Sequence, residues 1–108
     1  MIGSDAIRGY VDTMILYLLL DAPSYGYEIS KQIHAVSMGE YAMKETTLYS
    51  SFTRLERNGH IASFYSDGSG GKRRTYYRIT DAGRDYYRHK CREWQIVTQV
   101  VSRFIREP

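Results

Sequence analysis

The residues best suited to chemistry in this 108-residue chain lie in one short segment, from residue 46 to residue 57. Hydroxyl, phenol and guanidinium groups crowd the segment: Thr46, Thr47, Tyr49, Ser50, Thr53 and Arg54. Between them Leu48, Phe52 and Leu55 recur at helical spacing, so a helix that buries these three presents the polar groups together on its other face. Such groups donate to phosphate oxygens and to base edges, as in a DNA-binding helix. Because ordinary solvated helices also carry polar faces, the segment alone decides nothing.

A basic cluster follows a glycine-rich stretch further along the chain. The run Ser66–Gly71 predicts a turn, and Lys72-Arg73-Arg74 comes directly after it. The flanking segments Ile61–Tyr65 and Arg73–Ile79 have strand propensity, which predicts an antiparallel hairpin. A thin glycine tip followed by three cations suits a close approach to phosphates. The alternative is an ordinary exposed turn.

Positive charge is concentrated in the second half of the chain. The net charge is only +3, but residues 44–92 hold eleven Lys and Arg against five Asp and Glu, whereas the first 43 residues hold two against five. A polyanion is therefore expected to dock on the second half.

The sequence offers no convergent set of residues for catalysis or metal binding. His34, His60 and His89 are scattered, and the single cysteine, Cys91, is typical of a small buried hydrophobe. We predict no enzymatic activity, no metal site and no cofactor. One cysteine cannot form an internal disulfide, which favours the reducing cytoplasm. The apolar run Met14–Leu20 is too short to span a membrane and does not resemble a signal peptide, so no membrane partner is expected.

Two helices are predicted before the polar segment. Apolar residues at helical spacing predict a core helix over Ile7–Leu20, and a second helix is predicted from about Tyr25 to Val36. The buried face of the second helix would consist of Tyr25, Ile29 and Ile33. A third helix opens near Thr46 and ends at Asn58-Gly59.

A long helix is predicted after Thr80-Asp81, reaching about Ile105. Residues on one face recur at steps of four and three, the spacing of a helix–helix seam: Tyr87, Cys91, Trp94, Val97 or Thr98, Val101, and Phe104 or Ile105. The first 80 residues offer at most one helix to cover this seam. We therefore predict a homodimer.

Three helices followed by a hairpin is the order of a winged helix-turn-helix. The predicted fold is mainly α with a small β-hairpin (α+β). Residues 1–80 would form the DNA-binding domain and residues 81–108 the dimerisation helix, as one compact unit. In this fold the third helix enters the major groove and the hairpin reaches the backbone or an adjacent groove. The polar face of the third helix and the basic cluster of the hairpin, in this order, favour double-stranded DNA as partner more strongly than either does alone.

Three blocks of the sequence resemble the signature blocks of PadR-like transcriptional regulators. These blocks are Tyr25–Ile29, then Thr47–Tyr49 leading into Arg54–Ile61, then Gly70–Gly83. The resemblance extends over about residues 7 to 105. It implies a cytoplasmic, dimeric and mostly repressive DNA-binding protein whose long C-terminal helix supplies the dimer contact.

The resemblance also implies roles for single residues. Tyr27 would lie near the phosphate backbone at the start of the second helix, and Tyr49 would contact phosphate from the third. The full DNA-binding set is Tyr27, Thr46, Thr47, Tyr49, Ser50, Thr53, Arg54, Lys72, Arg73 and Arg74.

Some members of this family bind flat hydrophobic or phenolic compounds between the C-terminal helices and the partner's N-terminal helix, against a tryptophan. The resemblance implies a pocket for a small aromatic or hydrophobic effector, lined by Tyr10, Met14, Tyr87, Trp94 and Val97. An indole provides a stacking face and one donor. The alternative is that Trp94 is only part of the dimer core, as aromatic residues at seam positions usually are.

The predicted function is that of a sequence-specific DNA-binding transcriptional regulator, a homodimeric repressor relieved by such an effector. The alternative is a winged-helix module whose basic face contacts an acidic protein. Duplex DNA binding would depend steeply on salt, whereas protein binding would be unaffected by competitor DNA.

Overall fold

The computed structural model describes residues 2–67 and 73–107. Helices dominate, with one small antiparallel sheet. In chain order the elements are α1 (Ser4–Ile7), a 3-10 turn (Arg8–Tyr10), α2 (Val11–Leu19), β1 (Ser24–Tyr25), α3 (Gly26–Val36), α4 (Glu45–Arg57), β2 (Ile61–Asp67), β3 (Arg73–Ile79) and α5 (Asp81–Ser102). The winged helix-turn-helix predicted from the sequence is confirmed. The predicted start of the turn at Ser66 is wrong, because Ser66 and Asp67 pair with Arg74 and Arg73 and extend β2 past its predicted end at Tyr65. The rest of the predicted turn, residues 68–71, and Lys72 lie outside the described residues.

The core consists of one apolar face from each of α2, α3 and α4, packed together and against the sheet. Its fully buried side chains include Ile15, Leu16 and Leu19 of α2, Ile29 of α3, Phe52 and Leu55 of α4, and Ile61 of β2. The ring of Phe52 stacks on that of Tyr77 in β3, with centroids 3.9 Å apart. The prediction that Leu48, Phe52 and Leu55 form the buried face of α4 is confirmed, and its polar side chains consequently face outward.

The prediction of one continuous helix over Ile7–Leu20 is wrong. The chain forms α1, then the 3-10 turn, and α2 begins only at Val11. Gly9 lies in this turn, and Tyr10 has φ −121° and ψ 0°, outside the α-helical region. Glycine is a poor helix former, and the break at this point separates two helical segments that share one hydrophobic pattern.

The sheet has three strands rather than the two predicted. β1 pairs with β3, with Ser24 opposite Tyr77 and Tyr25 opposite Tyr76, and β3 also pairs with β2. Tyr25 is therefore a half-buried strand residue, and its predicted place on the buried face of a helix is wrong. The remaining two residues of that face, Ile29 and Ile33, are buried as predicted.

The first turn of α5 is fastened to the turn that ends α4. Gly59 has a positive φ of 77°, and the amides of Gly59 and His60 close α4 in a Schellman arrangement. The hydroxyl of Thr80 donates to the carbonyl of Gly59 at 2.6 Å, and its oxygen accepts from the amide of Gly83 at 3.0 Å. The backbone comes so close here that a Cβ on Gly83 would lie 2.0 Å from the carbonyl oxygen of His60. The His60 ring stacks on Tyr86. Thr80 is thus the helix cap that the sequence predicts.

Beyond Trp94, whose ring packs on Tyr10, the residues of α5 are half-buried or exposed. At 1.5 Å per residue its 22 residues span about 33 Å. Gly83 is its single buried residue among those described. The helix ends at Ser102, before the predicted end near Ile105, so the seam residue Phe104 lies beyond it with 82% of its surface exposed. Within the described ranges no helix has the length and apolar character needed to cross a bilayer.

Candidate nucleic-acid interface

The outward face of α4 carries a shallow cleft of about 460 Å³, called here the α4 cleft. It is lined by Thr46, Tyr49, Ser50, Thr53, Arg54 and Arg57. Five of these residues are in the predicted DNA-binding set, and the sixth predicted residue of this helix, Thr47, is half-buried beside them. The Thr53 hydroxyl donates to the carbonyl of Tyr49 at 3.0 Å, which fixes its rotamer.

A second cleft of about 290 Å³, called here the polar cleft, joins four elements of the fold: β1, α3, α4 and β3. It is lined by Tyr25, Gly26, Tyr27, Tyr49, Arg74, Thr75 and Tyr77. Tyr27 has 73% of its surface exposed. The cleft opens over the first residues of α3, whose free amides carry the positive end of the helix dipole. Phenols, a guanidinium and helix amides in one cleft suit an anionic oxygen such as a phosphate.

Gly26 permits this arrangement. A Cβ at this position would meet the hydroxyl of Tyr49 at 2.8 Å and its Cζ at 3.3 Å. Tyr49 also packs edge-on against Phe52, with centroids 5.6 Å apart. The phenol is thereby held between the core and the start of α3, with its oxygen at the cleft.

Two arginines of β3 hold their guanidinium groups over aromatic rings. The guanidinium of Arg73 lies 4.4 Å from the ring centre of Tyr65, and that of Arg74 lies 4.5 Å from the ring centre of Tyr25. Cation–π contacts of this kind orient a guanidinium while leaving its N–H donors available at the ring's edge. Arg73 and Arg74 therefore lie where the sequence predicts a basic arm, with Arg74 in the polar cleft; Lys72 lies outside the described residues.

Arg54 differs from the other predicted contacts because it is bound within the protein. Its Nε donates to Asp12 Oδ2 at 2.8 Å and its Nη2 donates to Asp12 Oδ1 at 2.6 Å. Nη2 also lies 3.1 Å from the hydroxyl oxygen of buried Ser51. The hydrogen bond to Asp12 raises the pKa of Arg54 above its ordinary value, although burial opposes the rise. The guanidinium stays charged and turned toward α2.

The predicted effector residues divide into two groups. Tyr10, Met14 and Trp94 line one open groove of about 450 Å³, called here the aromatic groove, between α2 and α5. The rings of Tyr10 and Trp94 meet edge to face with centroids 4.7 Å apart. Tyr87 and Val97 do not line this groove, which Ile7, Thr13, Lys90, Cys91 and Gln95 complete.

The predicted seam residues change in exposure along α5. Tyr87 and Cys91 are half-buried against the body, and burial with a hydrogen bond to Cys91 raises the pKa of Tyr87 to about 12. Val97 is half-buried, whereas Trp94 and Val101 expose about half of their surfaces. Ile96 and Val100 are exposed as well. The outer part of the helix thus presents large apolar groups to solvent.

Four residues that line the polar cleft are absent from the predicted DNA-binding set: Tyr25, Gly26, Thr75 and Tyr77. Tyr25 belongs to the first sequence block, but its helical spacing with Ile29 and Ile33 predicts a core position. Among residues 2–67 and 73–107 no three His, Cys, Asp or Glu side chains are grouped to hold a metal ion.

Comparisons with known proteins agree with this geometry. The model of the transcriptional regulator PadR-like family matches residues 15–89. An uncharacterized protein of Lysinibacillus sphaericus is 42% identical over 105 residues, which cover 97% of this chain and 96% of that protein. A transcriptional regulator from Clostridium thermocellum superposes with a TM-score of 0.88 at 56% identity, covering 95% of this chain and 100% of the other. A PadR family transcription regulator from Clostridium difficile R20291 gives a TM-score of 0.75 at 38% identity, with 89% and 98% covered.

Proposed function

The chain belongs to the PadR-like family of transcriptional regulators, and from that premise we propose that it binds double-stranded DNA as a homodimer and represses transcription. The polar cleft carries the DNA-binding part of this proposal. It joins Tyr27, Tyr49 and Arg74, three residues far apart in sequence, at the positive end of α3. No catalytic step is part of the proposal, and the cytoplasmic location expected from the sequence remains a prediction.

On the duplex, the polar cleft would bind one backbone phosphate. The amides at the start of α3 and the Arg74 guanidinium supply positive charge, and the phenols of Tyr27 and Tyr49 supply neutral donors. This contact would set the depth and orientation of α4, because phosphate contacts position a protein on DNA without reading its sequence. Thr46, Ser50, Thr53 and Arg57 would then face the major groove.

The dimer part of the proposal is supported by the outer half of α5. Trp94, Val97 and Val101 follow one another along a single helix face, and Ile96 and Val100 widen it. Leaving such a stripe in water costs free energy that a second copy of the same helix would recover. A two-fold pair would present its two α4 helices to half-sites about 34 Å apart, one turn of DNA.

The aromatic groove supports a role for an effector. Tyr10 and Trp94 offer ring surfaces, and Met14 adapts to varied shapes. A flat aromatic ligand that binds the DNA-free protein more tightly than the DNA-bound protein would lower the affinity for DNA. The factor equals the ratio of the ligand's affinities for these two states. Tyr87 and Val97 would then contact the second copy at the dimer seam rather than the effector.

The deciding experiment measures fluorescence anisotropy of a labelled duplex from the upstream region of the gene, at two salt concentrations and with random duplex as competitor. We expect binding that survives competitor and weakens steeply with salt. Binding that competitor removes completely would contradict sequence-specific regulation. Retention of an acidic protein in the presence of excess DNA would favour the protein-contact alternative.

Arg74→Gln provides the matched test of the polar cleft. Loss of one phosphate contact should weaken operator and random duplex alike and reduce the log–log salt slope by about one. Arg88→Gln is the control, because Arg88 pairs with Asp85 on the exposed side of α5. Equal salt slopes for Arg74→Gln and the wild type would remove Arg74 from the interface.

A further inference from the structure

The bidentate pair between Asp12 and Arg54 joins residues 42 positions apart on two different helices. The Asp12 side chain is only 15% exposed, whereas that of Arg54 is 42% exposed at the edge of the α4 cleft. Ser51, which is completely buried, adds a third contact to the guanidinium. This pair is therefore built into the junction of α2 and α4 rather than displayed on the surface.

Apart from an exposed hydrogen bond that the Ser63 hydroxyl donates to Glu56, the described contacts of α4 with the body are of another kind. Leu48, Phe52 and Leu55 pack on the core, and burial of apolar surface has little directional preference. A bidentate guanidinium–carboxylate pair fixes both distance and orientation, because two parallel N–H donors must meet two oxygens. Among the described residues, the Arg54 pair is thus the contact best suited to fix the rotation of α4 about its own axis.

Direct contact of Arg54 with DNA would work against this geometry. To reach a base with Nε and Nη2, the guanidinium would leave Asp12 unpaired in a mostly buried position beside a polyanion. An uncompensated buried charge is strongly unfavourable. The hydrogen bond that raises the pKa of Arg54 also acts to keep the pair intact.

We propose that Asp12 and Arg54 are a positioning pair that sets the angle at which α4 presents Ser50, Thr53 and Arg57 to the bases, and that Arg54 does not itself read DNA. This inference rests on the proposed function. A small rotation of α4 moves all its outward side chains together, so the pair determines sequence discrimination without contacting a base.

The test compares Asp12→Asn with wild type on a duplex selected by the wild-type protein from a randomised pool, and on random duplex. The two hypotheses predict opposite signs for this variant. If Arg54 positions α4, the variant loses roughly tenfold in affinity for the selected duplex and little for random duplex. If Arg54 reads DNA, release of the guanidinium and removal of a negative charge strengthen binding to both.

Asp5→Asn is the matched control. Asp5 pairs with Arg8 at 2.7 Å, but both side chains are largely exposed, so the substitution makes the same change of charge without altering the α4 junction. Its ratio of selected to random affinity should equal that of the wild type.

Two further variants complete the test. Arg54→Lys retains the charge but not the bidentate geometry, and it should show the same loss of discrimination as Asp12→Asn, with no further loss in the double variant. Ser51→Ala removes the hydroxyl that accepts a hydrogen bond from the Arg54 guanidinium but leaves the pair with Asp12 in place. It should reduce the ratio about twofold to fivefold, which keeps the proposal testable if Asp12→Asn does not fold.

The possible failures can be told apart. A wild-type protein that selects no duplex from the pool would overturn the proposed function and this inference together. A wild-type protein that selects a duplex which Asp12→Asn binds equally well or better would overturn the positioning pair alone. Measurements well below the unfolding temperature of each variant exclude a general loss of folded protein as the cause.

Discussion

The two halves of α5 differ in how they are held. The first half, up to Cys91, is fixed to the body: the Thr80 cap binds the α4–β2 turn, Gly83 touches the backbone of His60, and Arg84 donates to the carbonyl of Leu20 at 2.9 Å. The second half carries Trp94, Ile96, Val100 and Val101, and each of them exposes between 42% and 60% of its surface. The first half of α5 is thus held to the body by hydrogen bonds and close backbone packing, whereas the second half exposes apolar side chains.

In the proposed dimer, this difference would let one helix serve both the folding of the chain and its association with a second copy. The contacts of the first half complete the fold of a single chain. Apart from the contact of Trp94 with Tyr10, the second half adds little to that fold, and its exposed apolar stripe gains free energy only when another surface covers it. Substitutions in the two halves should therefore separate folding from association.

The largest effect is expected from the outer half. The double substitution Val97→Asp and Val101→Asp places two charges on the proposed seam, so the protein should sediment as a folded monomer. Operator affinity should fall about 100-fold or more, because the second half-site is no longer tethered. Gln99→Asp, off the seam and exposed, is the control and should remain dimeric. A double variant that still sediments as the dimer would refute the seam.

A smaller effect, of a different type, is expected from the first half. Gly83→Ala places a Cβ 2.0 Å from the carbonyl oxygen of His60, so the backbone of the turn or of α5 must shift. We expect a loss of about 1–3 kcal/mol in unfolding free energy, measured by urea denaturation at fixed protein concentration. Gly9→Ala, with no atom within 4 Å of its added Cβ, is the matched control. Equal midpoints for the two variants would show that the base of α5 is not tightly fastened.

The smallest effect concerns Tyr87, at the boundary between the halves. Its pKa rises from 10.0 to about 12, through burial and then the hydrogen bond to Cys91. A phenol with a higher pKa in the folded state stabilises the fold fully below pH 10, and that stabilisation is lost as pH rises from about 10 to about 12. The loss in unfolding free energy across this range should be smaller in Tyr87→Phe than in the wild type. Tyr65→Phe, which removes an exposed phenol, should show no such reduction.

Much of the fold is local in origin and could be predicted from the sequence. The apolar spacing of α4, its Asn58-Gly59 stop and the Thr80 cap are encoded within a few residues, and each was located correctly. The bounds of β3 agree with the predicted strand Arg73–Ile79, whereas β2 continues two residues past its predicted end at Tyr65. The family was also identifiable, because its three motifs are contiguous.

The features that were missed depend on partners far away in the chain. β1 has two residues and exists only because β3 offers Tyr76 and Tyr77 for pairing. Arg54 looked like a free groove residue because its carboxylate partner, Asp12, is 42 positions away. No local pattern carries such information, and these non-local contacts determine how the candidate interface is oriented.

The turn between α4 and β2 has a mechanical consequence. The carbonyls of Gly59 and His60 accept hydrogen bonds from Thr80, so the end of α4 and the start of α5 share one pivot. For a helix of about 33 Å, a tilt of about 5° at this pivot displaces the far end by about 3 Å. In a symmetric pair the tilt acts on both copies at once. A small change of angle between the two long helices would thus be converted into a change in the distance between the two α4 helices, and so into the spacing of DNA that the pair can span.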